Sequence, residues 1–404
     1  MQIGYAQTTI TSSLDKPVYL AGFGPNRRAE TIHDELTSRA LSLTDETGRL
    51  LILCALDLIG FFRQDVYDVI RRVQEQTSEV SKTSKVSPQI IMASIHNHHG
   101  PDTMGLWGPD MSHSGVDPKY MDWLKDKTGA TVLAALNNMK LASGMKATSV
   151  HVPGLAKNAR NPEIVDDELV LLQFLNTDNY PLITVLNFPC HPEVLWEHNP
   201  HITADYVGAL RREVEAATGA PCIFFAGALG GMMTPDVKNH SFEEAEFMGK
   251  WLAEEGLKAL EGAAISHPPS AISIQKKEVS VKLTNILFKI AFARKLLPDV
   301  RDKRGCITTE VNLLKIGLIW FATIPGELLP RLGMELKAEM RKAGAEVAGI
   351  IGLANDELGY ILPKEEFRYP LNPLKPGKHY EETMSISREM GPTVMQAVRE
   401  LLQP

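Results

Sequence analysis

Cysteine is scarce in this chain: Cys54, Cys190, Cys222 and Cys306 are the four in 404 residues, and no two form a CxxC pair. Their spacing argues against zinc-finger and redox motifs. Three of them fall in apolar, strand-like runs, as buried free thiols do. Basic charge is also short, with 42 Lys and Arg against 49 Asp and Glu, a net charge of -7. The charges are mixed along the chain, so no basic face for nucleic acid is expected. No run of 18 apolar residues occurs, so no membrane span is expected. Met1-Gln2-Ile3-Gly4-Tyr5 shows no basic start leading into an apolar stretch, so no secretory leader is expected. These absences point to a soluble protein, expected in the cytoplasm. Sequence repeats and low-complexity linkers are missing too. What is present is a hydrophobic content of 44%, enough to bury a substantial core in one large domain or two fused lobes.

Strand-like and helix-like segments alternate. Leu50–Leu56 is a short apolar run that suits a buried strand, and 61–73 has helical spacing at Val66, Ile70 and Val73. Residues 89–95 form the next strand candidate and 118–140 a long helix, with Asp117 placed to cap it. Further strands are expected over 168–175, 182–188, 222–226, 276–283, 313–323 and 347–353. Further helices are expected over 205–217, 242–260, 327–341 and 381–402. This alternation implies an α/β architecture with a mixed, mostly buried β-sheet flanked by helices. Residues 1–404 read as a single domain. The weakest join is 263–271, where His267-Pro268-Pro269-Ser270 reads equally as a long loop or as a boundary between two lobes. A second Pro-rich stretch, 369–377, reads as a surface loop near the active site.

Three of the twelve histidines, His96, His98 and His99, fall within four residues, directly after a strand candidate and before Gly100-Pro101. On extended backbone His96 and His98 point one way and His99 the other. A strand end is a stiff mount, and in open α/β sheets sites gather beyond the carboxyl ends of strands. A polar loop with incidental histidines is the bland reading. Three together, with others similarly placed, favour a function. The second signal is Asn187-Phe188-Pro189-Cys190-His191-Pro192, another strand ending in a histidine, stiffened by proline on either side. The third is Thr323-Ile324-Pro325-Gly326-Glu327, a carboxylate after an apolar strand and at a helix start, where the ionised form is favoured. A helix-end charge would be unremarkable by itself. Two histidines and one carboxylate, however, make a normal ligand set for a catalytic zinc with an open position. His198 and His201, in a polar loop, are expected to be surface residues.

Read in order along nearly the whole chain, these motifs resemble the catalytic domain of the neutral, non-lysosomal ceramidase family. Besides the His96 and His191 motifs and Pro325-Gly326-Glu327, the resemblance rests on three further stretches. They are Thr203-Ala204-Asp205, Leu353-Ala354-Asn355-Asp356-Glu357-Leu358-Gly359-Tyr360 and Tyr380-Glu381. It implies zinc ligands at His96, His191, Glu327 and Tyr360, with His98 facing the substrate carbonyl. Arg160, in Asn158-Ala159-Arg160-Asn161-Pro162, matches a segment that lines the family's pocket. One departure concerns the family's active-site serine motif, which stands here as Gly231-Met232-Met233-Thr234-Pro235. Thr234 keeps a hydroxyl and Met232 replaces an acid, which shifts weight from serine-type chemistry onto the metal. Ceramidases proper are larger and secreted, with an added C-terminal β-sandwich domain that is not expected in this chain.

The resemblance therefore implies a Zn2+-dependent hydrolase that cleaves an amide (N-acyl) bond with a metal-activated water. The amide leaving group needs an acid, for which His98 is the candidate, and Thr234 and Arg160 complete the catalytic set. A zinc esterase or lactonase on the same site and a non-catalytic metal- or ligand-binding homologue are the alternatives. The expected substrate is a small-molecule N-acyl or ester compound, more soluble than long-chain ceramide, with Arg160 at its polar end. Neither 61–73 nor 242–260 reads as an apolar, membrane-facing helix. Met104-Gly105-Leu106-Trp107 with Met232-Met233 is the candidate groove for an acyl chain.

Overall fold

The computed structural model describes residues 1–80, 88–368 and 379–403. The loop expected over 369–377 lies outside the described residues. The chain builds one supersecondary unit three times. Each unit lays down three antiparallel strands in sequence order, crosses back through a helix, and adds a fourth strand parallel to the third. A second helix follows.

The first unit consists of strands Gln2–Thr9, Thr37–Thr44 and Leu50–Leu56, helix Arg63–Val80, strand Gln89–Ser94 and helix Pro118–Asn137. The second consists of Gly144–His151, Glu168–Leu175 and Pro181–Phe188, helix Asp205–Thr218, strand Cys222–Ala226 and helix Phe242–Gly262. The third consists of Ile272–Lys282, Cys306–Ile316 and Ile319–Thr323, helix Pro330–Lys342, strand Val347–Ile351 and helix Met390–Leu402. No repeat is expected from the sequence, because the three units share a backbone pattern and not a residue pattern. Stretch 263–271 carries the chain from the second unit to the third, and Ser266 there pairs with Met145 of the second sheet.

Period-two alternation places the cores. In the first sheet Leu51, Leu53, Ala55, Ile91 and Ala93 face a central cluster shared by all three sheets. Their neighbours Ile52, Cys54, Leu56, Ile90 and Met92 face the other way, onto Val66, Val69 and Val73 of one helix and Leu124 and Val132 of the other. The third sheet repeats this. Leu314, Ile316, Phe321 and Ile351 point inward, while Leu313, Ala322, Ala348 and Ile350 pack under Leu336, Met340 and Val394. The helices start where the sequence supplies caps: the Asp117 side chain accepts from the Lys119 amide and Ser241 from Glu244. Cys54, Cys190 and Cys222 are buried and Cys306 half-buried, all as free thiols.

Three sequence expectations need correction. Residues 313–323 are not one strand but parts of a hairpin, turned at Gly317, whose φ of 64° is left-handed. Residues 381–402 are not one helix: Tyr380–Thr383 and Met390–Leu402 are separate. His201 lies in a short strand paired with Thr31–Ile32, although His198 is exposed as expected. The helix Ile286–Ala293, moreover, turns Ile286, Leu287 and Ile290 toward solvent, an apolar face the sequence reading did not include. Among the described residues no helix is long and apolar enough to cross a membrane.

The fourth strands of the units meet. Ala93 bridges Ala354, the Gly352 amide donates to the Ala226 carbonyl, and the Asn355 amide donates to Met92. The Asn187 side-chain amide donates to the carbonyls of both Phe225 and Ile350, stitching the second unit to the third. Asp57 and Arg211, both fully buried, form a bidentate pair at 2.7 and 2.8 Å that joins the first unit to the second. The carboxyl ends of all three parallel strand pairs therefore converge on one region.

Candidate metal centre

His96 follows the fourth strand of the first unit, in a left-handed conformation with φ of 65°. For a non-glycine residue this costs on the order of 1–2 kcal/mol. The turn is held by the Asn97 amide donating to the Leu58 carbonyl at 2.9 Å. The left-handed residue, and not an extended run, aims the ring. His96 Nδ1 lies 2.7 Å from the Ile59 carbonyl, so its N–H belongs there and Nε2 is left to face the centre. His191 follows the third strand of the second unit and is oriented in the same way, with Nδ1 at 2.8 Å from the Met233 carbonyl.

Glu327 follows the third strand of the third unit. Its Oε2 lies 3.2 Å from His191 Nε2 and 3.5 Å from His96 Nε2. A tetrahedral ion with ligand bonds of about 2.0–2.1 Å has ligand–ligand edges of about 3.3–3.4 Å, which both Glu327 edges match, and the His96 and His191 ligand atoms lie within 4.8 Å of each other. Tyr360 is brought alongside by the two-residue parallel pairing of Glu327–Leu328 with Tyr360–Ile361. Its hydroxyl lies 3.3 Å from Met232 Sδ and close enough to Glu327 to help stabilise that carboxylate. His98 completes a buried group with His96 and His191 whose ligand atoms all lie within 4.8 Å of one another. His99 turns away, 3.4 Å from the Asp205 carboxylate.

The charges follow from burial and neighbours. Burial lowers His96 to about 4 against the pull of Glu327. Burial also disfavours charge on His191, yet Glu193 and Glu327 outweigh it and raise the ring to about 9. Burial and then the Glu327 charge push the Tyr360 phenol far above its ordinary value. Burial likewise opposes ionisation of Glu327, but His96 and His191 hold it below the usual carboxylate range.

The other expected residues divide. Thr234 is buried in the short strand Met233–Pro235, beside Glu193. Arg160 is not a free anchor: its guanidinium donates to Glu381 at 2.8 Å, to both oxygens of Glu382 at 3.0 Å and to the Glu366 carbonyl at 3.2 Å. It lines a cavity of about 720 Å³ with Met232, Arg331, Arg368, Tyr380 and Glu381. Met232 and Tyr380 connect this cavity to Tyr360, whose ring lies 5.9 Å from that of Tyr380. The expected acyl groove does not assemble. Met104 packs with Ala21 and Ile59, Met233 is in the central core, and Met232 packs by Tyr360.

Two carboxylates went unnoticed in the sequence. Glu193, two residues after His191, is fully buried and faces His98 and His191. Glu357 is buried beside Glu327, and burial with that neighbouring charge pushes its carboxyl well up. A carboxylate immediately downstream of a strand-end histidine, as in His191-Pro192-Glu193, is the signal that could have found the first.

A buried His–His–Glu cluster sits at the convergent strand ends of a three-unit α/β fold. The fold is that of neutral ceramidase. The chain is similar to neutral ceramidase from Pseudomonas aeruginosa at a TM-score of 0.77 and 15% identity, over 100% of this chain and 75% of that one. It is likewise similar to a ceramidase complexed with C2, at a TM-score of 0.76 and 15% identity, over 99% and 75%. No family model matches the sequence, and no curated protein sequence matches it.

Proposed function

We propose that the chain is a zinc-dependent hydrolase that cleaves an amide (N-acyl) bond in a substrate smaller or more soluble than long-chain ceramide. The observation that carries this reading is the spacing of His96 Nε2, His191 Nε2 and Glu327 Oε2, with both Nδ1 atoms tied to main-chain carbonyls. Nitrogen and carboxylate donors at tetrahedral edge lengths suit zinc, and Tyr360 stands beside them as fourth ligand. A metal ion held there would supply an activated water near neutral pH and polarise an acyl oxygen.

The chain's own groups do the rest. Main-chain carbonyls at Ile59 and Met233 fix the two ligand rings. His98, with neither ring nitrogen hydrogen-bonded, faces the substrate carbonyl and is placed to pass a proton to the departing amine. Thr234 lines the same pocket with its hydroxyl beside the Glu193 carboxylate, and in this reading the metal-activated water, not that hydroxyl, is the nucleophile. The neighbouring cavity holds guanidinium groups of Arg160, Arg331 and Arg368 against Glu366 and Glu381. Such walls favour a polar head group over two hydrocarbon chains. Arg160 acts there chiefly by fixing Glu381 and Glu382. The ceramidase activity named for the two structural neighbours supports an N-acyl bond as the target.

The test is hydrolysis of chromogenic short-chain amides and matching esters by the metal-loaded protein, with chelator controls. Amide cleavage that is lost with the metal and restored by Zn2+ supports the reading. Ester cleavage alone would make the protein an esterase or lactonase on the same site. Metal binding without turnover of either panel would make it a non-catalytic homologue. The substrate class is checked by comparing kcat/KM for long-chain ceramide in detergent with that for short N-acyl amines and amino acids, and preference for ceramide refutes the smaller substrate.

A further inference from the structure

Four buried polar atoms stand next to the first ligand set and are not part of it. Nδ1 and Nε2 of His98 and both carboxylate oxygens of Glu193 are shielded from solvent and make no aligned hydrogen bond, with the Thr234 hydroxyl the one polar side chain near enough to favour the Glu193 carboxylate besides the histidines. Orphaned groups of this kind are rare in a folded interior, and a buried carboxylate left unpaired is costly. His98 Nδ1 and Glu193 Oε2 stand 3.2 Å apart. That separation again matches the ligand–ligand edge of about 3.3–3.4 Å around a tetrahedral ion.

The backbone leaves room at this spot. A Cβ on Gly22 would lie 2.3 Å from His98 Nδ1, and Gly22 has φ of 78°, so glycine satisfies both the space and the conformation. Carboxylate oxygens gather at the same spot. Glu193, Glu327 and Glu357 are three buried carboxylates around one centre. The Arg27 guanidinium is spent on the main-chain carbonyls of Ala21, His98 and Glu197.

We propose that His98 and Glu193 hold a second divalent cation beside the first, making this a two-metal centre, with Thr234 as its neighbouring hydroxyl. The inference rests on the reading of His96, His191 and Glu327 as the first ligand set. The ring centroid of His98 lies 5.0 Å from that of His96 and 5.4 Å from that of His191, compatible with the ion separation of about 3.5–4 Å found in two-metal hydrolases. With Nδ1 on the cation, the neutral ring carries its proton on Nε2, which stays available as a donor to the substrate. Nitrogen and carboxylate donors select a transition metal such as Zn2+ or Mn2+ over Ca2+.

The experiment is Zn2+ titration of the chelator-stripped protein by calorimetry, with elemental analysis after gel filtration. Wild type should take up about two equivalents, and Glu193→Gln and His98→Gln about one each, as expected when one of two sites is removed. His191→Ala should lose the tighter site. In wild type loaded with Mn2+, the paramagnetic resonance spectrum should show spin coupling between neighbouring ions, a readout that depends on no variant. Saturation of wild type at one equivalent, with Glu193→Gln unchanged and no spin coupling, overturns the proposal and leaves Glu193 as a counter-charge for a cationic substrate group. Absence of any bound metal would overturn the first ligand set instead, so the two failures are distinct.

Discussion

Loading the first metal site should release a proton at neutral pH, and the size of the effect follows from His191. Its ring sits between Glu193 and Glu327, which raise it to about 9 although burial alone would lower it. At pH 7 the metal-free ring is therefore protonated, two units below its pKa. A ligand nitrogen must give up that proton to bind a metal, at about 1.36 kcal/mol per unit, or about 2.7 kcal/mol in all. Apparent affinity at pH 7 should then be about 100-fold weaker than at pH above 9, and should improve about tenfold per unit between them. His96 adds nothing to this slope, because burial lowers it to about 4 and it is neutral throughout. Tyr360 adds a second proton when it binds as a phenolate, since its phenol is held far above neutrality. The slope thus reads the ligand state of Tyr360, about one per pH unit for a phenol and about two for a phenolate. The assay is calorimetry of the first Zn2+ equivalent in buffers of different ionisation enthalpy from pH 6.5 to 8.5. A flat affinity with no proton release across that range refutes the reasoning.

With a metal-activated water as nucleophile, Thr234→Ala should keep substantial amide hydrolysis while His96→Ala abolishes it. Steady-state kinetics at matched metal content checks this, and complete inactivation of folded Thr234→Ala would revive a hydroxyl nucleophile. Gly22→Ala puts a methyl 2.3 Å from His98 Nδ1 at a left-handed position. It should cost on the order of 1 kcal/mol in stability and lower kcat by more than it raises KM, and unchanged kcat would show that the loop yields freely. Asp57→Asn strands Arg211 in the interior and should cost about 3–5 kcal/mol by urea denaturation. Burial opposes ionisation of Asp57, but Arg211 holds its pKa below the ordinary value. The pair's contribution is thus complete above the unfolded aspartate pKa of about 3.9 and is lost as pH falls through the lower folded value. Acid unfolding of Asp57→Asn should correspondingly be shallower over that window.

The strand ends that bring His96, His191 and Glu327 together were legible because each is marked by chain chemistry: a histidine after a clean apolar run, proline on both sides of Cys190-His191, and Gly326 before Glu327. Element types were legible for the same reason, since the first and third sheets alternate strictly between the central core and the helices. The threefold repetition was not, because alternation and crossover recur while the residues do not. The hairpin at Gly317 was hidden by unbroken apolar residues on either side of its short turn. Glu193 and Glu357 were missed because a carboxylate near a loop reads as solvated. Only tertiary packing shows that the first is buried against His98 and the second against Glu327. Arg160 was expected as a free anchor, and its pairing was hidden because Glu381 and Glu382 lie more than 200 residues away in sequence.

The provenance of the ligands explains why the centre sits where it does. His96 comes from the first unit, His191 from the second, and Glu327 with Tyr360 from the third. No single unit holds the site, so the ligand spacing exists only when the three sheets are packed face to face. The fourth strand of each unit must leave the convergence sharply, and each does so through left-handed backbone: His96 in the first, Gly231 and Met232 in the second, Leu353 and Asn355 in the third. Four of these five residues are not glycine, and each such turn carries strain. That strain is tolerated because the turns are pinned from other units, as when Asn355 donates to Met92 and the Ser94 amide to Leu353. The same junction that bends the backbone therefore supplies the rigidity a ligand set needs. A metal bound there would tie all three units together, and its binding energy would contribute to holding the units in register as well as to chemistry.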